Sequence, residues 1–269
     1  MEFMPSREIL ISIFGLDIYW YGFFIFLGII IASTLSIINF KKHNLTTDNF
    51  LDVAFPTMIM AILGARIWYV IFKWNEVYKY DFMEIFRINN GGLAIQGGVL
   101  FGLVTAIIVL RKNKIPVLLA GDCIMPNVLL AQALGRWGNF VNQEAFGSQC
   151  SLEFLEKLHL PQFIIDGMYI DGAYWHPTFL YESLLNILGF LIIFFIVKRF
   201  SKTNGIQFGS YFIWYGFIRF FIEALRTDSL MFMGLKMAQI TSFIFVFIGL
   251  ALIFIAKKQK PEKLYNILK

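Results

Sequence analysis

Residues 128–147 read VLLAQALGRWGNFVNQEAFG. A mostly apolar run, Val128 to Leu134, leads straight into Gly135-Arg136-Trp137-Gly138-Asn139-Phe140-Val141-Asn142-Gln143-Glu144-Ala145-Phe146-Gly147. One cation, one acid and two asparagines thus follow directly on a segment apolar enough to sit in a bilayer. Polar side chains at membrane depth are expensive, and they are retained where they touch a substrate or one another. A helix that merely has to end needs far less than this, so the stretch marks a membrane-embedded chain that binds something polar.

Working outward, the whole chain fits that reading. Of 269 residues 58% are hydrophobic, only 15% are charged, and 31 are Phe; the mean hydropathy is +0.68. A soluble domain carries roughly a quarter charged residues. The net charge of +5 does not point to nucleic acid, because the basic residues are dispersed among apolar segments. Cys123, in an apolar segment, and Cys150, in a polar connection, read as two free or packing residues and not as a disulfide framework. Residues 1–16 lack the basic start of a cleavable signal peptide, which predicts an uncleaved first span.

Spanning a bilayer by helix takes about 20 mostly apolar residues. That predicts an all-α polytopic membrane protein with about seven spans, near 18–38, 53–72, 91–110, 117–134, 178–197, 206–225 and 237–256. The second, fourth and sixth are weakened by charges: Arg66, Asp122, and Arg219 with Glu223. Lys41, Lys42, Arg111, Lys112, Lys114, Lys198, Arg199, Lys202 and the lysines from Lys257 to Lys269 fall on alternate ends. They outnumber Arg7, Lys73, Lys79, Arg87, Arg136, Lys157, Arg226 and Lys236 on the other side. The positive-inside rule then places the amino terminus outside and the carboxyl terminus in the cytoplasm. The chain is expected to be one integral-membrane domain, 1–269. Its longest outer connection, 136–176, forms a small extracytoplasmic cap too short to bury its own core. Tyr19, Trp20, Tyr21, Trp74, Tyr78, Tyr80, Tyr174 and Trp175 sit at head-group depth on the same side. Gly98/Gly102 and Gly205/Gly209 have the spacing of close helix packing.

Four polar constellations lie toward the outer ends of the spans. Arg136 and Asn139 share a face if helical, with Asn142 and Glu144 just beyond; the plain structural reading is a helix stop in which Arg136 pairs with Glu144. Gly135, Gly138 and Gly147 favour close approach of backbone to a ligand. Tyr215, Arg219, Glu223 and Arg226 fall on one stripe of the sixth span. There an Arg219–Glu223 pair would reduce the burial cost while leaving guanidinium donors over for a phosphodiester. His176-Pro177-Thr178 opens the fifth span and puts Tyr181 and Glu182 one turn inside, where a lone Glu requires a partner. His176 itself is either a base or a simple hydrogen-bonding group. Gly91 to Gly98 is a Gly-rich entry to the third span with one amide, Gln96. The three histidines, His43, His159 and His176, lie in unrelated segments, which predicts no metal site. No nucleotide loop or nucleophile elbow occurs, so no cofactor is expected.

Taken together, these segments resemble the prolipoprotein diacylglyceryl transferase family. The stretch GRWGNFVNQEAFG looks like the family signature. Tyr19-Trp20-Tyr21-Gly22, Gly64-Ala65-Arg66, Asn90-Gly91-Gly92, His176-Pro177 with Tyr181-Glu182, and Tyr215 to Arg219 with Glu223 and Arg226 follow in the family's order. The resemblance covers about residues 17–256. It implies transfer of the diacylglyceryl group of phosphatidylglycerol to a lipobox cysteine thiol in preprolipoproteins, at the outer leaflet of the bacterial cytoplasmic membrane. It further implies Arg136 and Arg219 as essential arginines, with Tyr21, Asn139, Glu144, Gly147 and Glu223 important; Arg66, Gln96, Asn142, His176, Tyr181, Tyr215 and Arg226 complete the expected substrate site.

One departure matters. Many members of the family carry a histidine where this chain has Gln96, and an amide cannot accept a proton at working pH. A thiol of pKa about 8.5 is a few per cent thiolate near neutrality, and nearby arginines raise that fraction. Electrostatic stabilisation of the leaving phosphate is therefore expected to dominate, with Gln96 orienting the head group and Glu144 or His176 open as bases. The same arginines could instead line the path of an anion transporter. That reading calls for polar inner halves, whereas Leu188 to Val197 and Phe245 to Ala256 are almost purely apolar.

Overall fold

The structure, a computed structural model, describes residues 8–13, 16–87, 91–227, 231–232 and 234–259. Arg7, Asn90, Lys260, Lys263 and Lys269, used above, lie outside the described residues. In chain order the elements are β1 (Ile9–Ile13), β2 (Leu16–Tyr19), α1 (Trp20–Lys42), α2 (Thr47–Phe72), a π turn (Trp74–Tyr78), a 3-10 turn (Phe82–Phe86), α3 (Ile95–Lys112) and α4 (Val117–Asn142). Then come β3 (Gln149–Cys150), α5 (Leu152–Lys157), α6 (Gln162–Gly167), β4 (Tyr169–Ile170), β5 (Ala173–Trp175) and α7 (Thr178–Leu191). A π segment (Ile192–Val197) carries α7 into a last turn, α8 (Lys198–Phe200), followed by α9 (Ile206–Leu225), β6 (Met231–Phe232), β7 (Leu235–Lys236) and α10 (Met237–Lys258).

This is an all-α polytopic membrane protein. Among the described residues, 6 helical stretches are long and apolar enough to cross a bilayer. The seventh expected span is α9, a helix of 20 residues. It is long enough to cross, but Gln207, Arg219 and Glu223 dilute its apolar character, and it falls outside those six. Several boundaries differ from the sequence reading. Ile18 and Tyr19 belong to a hairpin, β1 against β2, and not to the first span. The third span opens at Ile95, because Gly91 and Gly92 have φ of 86° and 78° and cannot be helical. The fourth continues past Leu134 to Asn142, so residues 136–142, read as the start of the cap, are helix. Lysine and arginine end α1, α3 and α10, where they meet the negative pole of each helix.

The chain forms two compact units. In the unit Ile37–Ala120, Thr46 and Asn49 form a reciprocal cap at the start of α2. Gly98 and Gly102 bring α3 close onto Ala61, Ala65 and Thr57 of α2, as their spacing predicts. In the unit of Met1–Ser36 and Gly121–Lys269, α9 and α10 approach through Gly209 and Gly249: a Cβ on Gly209 would lie 2.7 Å from the Gly249 carbonyl. Gly205, paired with Gly209 in the sequence reading, has another task. It opens α9 at φ 104°, and its N–H donates at 2.7 Å to the buried Asp122 carboxylate, which also accepts from the Phe208 N–H. Asp122 thus caps a helix that begins far along the chain. The cap of this unit orders β3, β5 and β4 into one small sheet. Its core joins Leu155, Ile164, Ile165, Met168 and Ile170 to Phe140 and Val141 of α4 and Phe179 of α7.

Candidate active site

The site of the larger unit is built on three helices. On α4, Arg136 and Asn139 are three residues apart and therefore share a face; the Arg136 Nη1 donates to Asn139 Oδ1 at 3.1 Å. On α9, Tyr215, Arg219 and Glu223 recur every fourth residue, and Arg219 Nη2 donates to Glu223 at 2.6 Å. Glu182 on α7 stands between them. It accepts from Arg136 Nη2 at 2.7 Å on one oxygen and from Arg219 Nη1 at 3.1 Å on the other. The partner that a lone Glu182 required is thus two arginines. The helix-stop reading, Arg136 on Glu144, does not hold, and the Arg219–Glu223 pair is present as half of a larger network.

Glu182 was not singled out as a functional residue from the sequence, although it joins the two arginines that were. The available signal was its position: a carboxylate one turn inside an apolar helix has to meet a cation.

Exposure separates the partners. The Glu182 side chain is 2% exposed, while those of Arg136 and Arg219 are 20% and 15%. The carboxylate is the buried hub and the guanidinium groups are the open rim. Each guanidinium has five N–H donors, so both keep donors for an incoming anion.

Beyond α4 the chain turns sharply. Gln143 and Ala145 both take left-handed backbone, φ 51° and 59°, and Glu144 sits exposed between them. The Asn139 Nδ2 donates to Glu144 Oε1 at 2.8 Å and the Asn142 Nδ2 at 3.4 Å. Thr178 Oγ1 donates to the Ala145 carbonyl at 2.6 Å, and Gln143 Nε2 to the Gly167 carbonyl at 2.9 Å, which pins the turn on both sides. Gly147 donates its N–H to the His176 carbonyl at 3.0 Å, and a Cβ there would come within 2.7 Å of His176 Cβ. Its backbone bridges antiparallel to Arg226. The ring of Tyr21 lies over Gly138, where any side chain on the glycine would meet it.

His176 Nδ1 is 3.3 Å from the Tyr181 hydroxyl, and Phe154 lies edge-on to the imidazole. Partial burial holds the His176 imidazole below its usual range, so it is neutral at physiological pH, and burial pushes the Cys150 thiol up. Neither Cys123 nor Cys150 forms a disulfide. Among the described residues no group of three or more metal-binding side chains gathers.

The smaller unit holds the remaining expected site residues, Arg66 and Gln96. Arg66 on α2 is 5% exposed. Its guanidinium donates to the carbonyls of Ile85 at 3.0 Å, Gly91 at 2.7 Å, Gly92 at 3.0 Å and Arg87 at 3.4 Å, and also to that of Glu84. Gln96 is exposed in the first turn of α3.

Two guanidinium groups held open around one buried carboxylate, inside a helical membrane protein, suit the stabilisation of negative charge on a phosphate. The class is that of membrane-embedded proteins that handle an anionic group. Residues 8–255 match the family described as prolipoprotein diacylglyceryl transferase. Three relatives carry the name phosphatidylglycerol–prolipoprotein diacylglyceryl transferase. That of Listeria innocua serovar 6a is 43% identical over 249 residues, covering 93% of this chain and 89% of the relative. That of Staphylococcus haemolyticus is 44% identical over 256 residues, covering 95% and 90%. That of Ligilactobacillus salivarius is 44% identical over 247 residues, covering 91% of each. The chain belongs to the prolipoprotein diacylglyceryl transferase family and is a transferase; nothing favours the anion-transport reading.

Proposed function

We propose that this protein transfers the diacylglyceryl group of phosphatidylglycerol to the lipobox cysteine thiol of preprolipoproteins, the first step of lipoprotein maturation in the bacterial cytoplasmic membrane. Both the lipid and the lipidated product live in the bilayer, which suits a site reached from between helices. The chain crosses the membrane seven times, α9 included, with its amino terminus and cap outside, so that the site faces the outer leaflet. The lysines and arginines that end α1, α3 and α10 support that orientation.

In the reaction the cysteine sulfur attacks the glycerol carbon that bears the phosphate. The carbon–oxygen bond breaks, its electron pair leaves with the phosphate oxygen, and the products are a thioether-linked diacylglycerol and glycerol 1-phosphate. Arg136 and Arg219 grip the phosphodiester and stabilise the charge that grows on it; one such donor is worth about 100- to 1,000-fold in rate. Glu182 fixes the aim of both. Asn139, Asn142, Tyr21, Tyr215, Glu223 and Arg226 shape the surroundings, Gly147 lets the loop close on His176, and Gln96 orients the head group.

The observation that carries this reading is the Arg136–Glu182–Arg219 bridge. Its test is incubation of the purified protein with phosphatidylglycerol and a lipobox peptide, followed by mass spectrometry. A diacylglyceryl mass gain is expected on the cysteine and none on the serine peptide; no gain on either sinks the reading.

A further inference from the structure

The transfer releases a proton from the thiol, and Gln96 cannot take it. Within the larger unit the other candidates differ sharply. Both oxygens of Glu182 are committed to guanidinium groups, and its side chain is 2% exposed. Glu223 is ion-paired to Arg219 with its side chain 3% exposed. His176 is engaged by the Tyr181 hydroxyl and flanked by Phe154. Glu144 alone of the three glutamates is exposed and bonded to amides and not to cations. Both amides take Oε1, so among the described residues Oε2 has no hydrogen-bond partner.

Three further features place that free oxygen for work. Its turn holds two non-glycine residues in left-handed backbone, a costly arrangement that persists only where the surroundings fix it; the bonds from Thr178 and Gln143 do so. Asn139 links it to the leaving-group machinery, accepting from Arg136 and donating to Glu144. Beside Glu144 lies a hollow of about 10 Å³, lined by Asn139, Phe146, Met168, Ile170 and Phe179. That is space for about one water-sized group, with apolar walls that suit sulfur and a carboxylate at its side. The charged and titratable groups adjoining the turn are Arg136, bonded to Asn139, His176, whose carbonyl accepts from the Gly147 N–H, and Arg226, whose backbone bridges to Gly147.

We propose that Glu144 is the general base of the transfer and that the hollow beside it receives the substrate thiol. This rests on the transferase reading above. The thiol proton passes to Glu144 Oε2, sulfur forms its bond to the glycerol carbon, and the phosphate leaves with the electron pair. Glu144 then returns the proton to water.

The test compares the full-length protein with Glu144→Gln and Glu144→Asp, measuring initial transfer rates to the lipobox peptide from pH 6 to 9. Retention of phosphatidylglycerol is measured in parallel by native mass spectrometry. The unchanged protein is expected to keep an even rate across that range. The glutamine variant loses about 100- to 1,000-fold near pH 7. That deficit shrinks about tenfold per pH unit toward the thiol pKa near 8.5, where solution supplies thiolate. Glu144→Asp recovers part of the rate, and lipid retention is unchanged. Parallel pH profiles, or lipid retention lost together with rate, overturn the base assignment while leaving the transferase reading intact. No adduct from the unchanged protein overturns both.

Discussion

Arg66, Arg136 and Arg219 sit within the apolar helices α2, α4 and α9, and the two units use them in opposite ways. In the smaller unit Arg66, among the described residues, gives its hydrogen bonds to the backbone carbonyls of Glu84, Ile85, Arg87, Gly91 and Gly92. The side chain is a clamp on those five carbonyls, and its five N–H donors are used up. In the larger unit Arg136 and Arg219 share one carboxylate and stay partly open. The same residue type, at the same expense, is structural where its partners are carbonyls and chemical where its partner is a shared anion. Charge at membrane depth locates sites that matter; the bonding pattern says in which way.

The largest expected effect tests that contrast directly. Arg136→Ala should lower the transfer rate by about 100- to 1,000-fold, because a donor aimed at developing charge is lost. Arg66→Ala should act on folding instead. The carbonyls of Glu84, Ile85, Arg87, Gly91 and Gly92 lose their shared donor, so thermal stability in detergent falls. Turnover per folded molecule should stay within a few-fold. Equal damage to turnover from both substitutions would break the comparison.

Glu182→Gln sharpens it from the other side. The shape is kept, but two guanidinium groups lose the charge they share. Removing one partner of a buried pair costs about 3–5 kcal/mol. The arginine side chains here are 20% and 15% exposed, and water screens part of that loss. A fall of about 2 kcal/mol in unfolding free energy is expected, with at least a tenfold loss of rate as the guanidinium groups lose their aim. Full stability in the glutamine variant would show that Glu182 is not the hub. Gln96→Ala should be milder, keeping transfer within about tenfold, since an amide supplies orientation and no proton transfer. A loss as deep as that of Arg136→Ala would show that Gln96 takes part in the chemical step itself.

Much of this architecture was legible from local pattern. The apolar lengths fixed the helical membrane class, and the spacing of Arg136 with Asn139 and of Tyr215, Arg219 and Glu223 put those groups on shared faces. What stayed hidden depends on partners far along the chain. Asp122 read as a blemish in the fourth span, yet it caps α9 through Gly205 and Phe208. Glu182 read as a residue in want of a partner, and only the packing of α4 and α9 about α7 shows that it has two. Arg66 read as a ligand because nothing local announces that five carbonyls converge on it. The continuation of α4 to Asn142 was likewise unreadable, since its polar last turn is tolerated only because Glu182 and Glu144 meet it.

The smallest expected effect concerns Asn186, one turn along the same face of α7 as Glu182. It is 0% exposed, and among the described residues neither its amide nitrogen nor its oxygen has a hydrogen-bond partner. An unpaired buried amide costs roughly 1–3 kcal/mol. Replacing it with an apolar side chain of similar size is neutral or stabilising when no bond is lost. Asn186→Leu should therefore leave thermal stability unchanged or raise it by up to about 1 kcal/mol, with transfer intact. A variant that is more stable but slower would show that the unpaired amide is kept for the substrate. The working face of α7 would then extend a turn beyond the Glu182 hub.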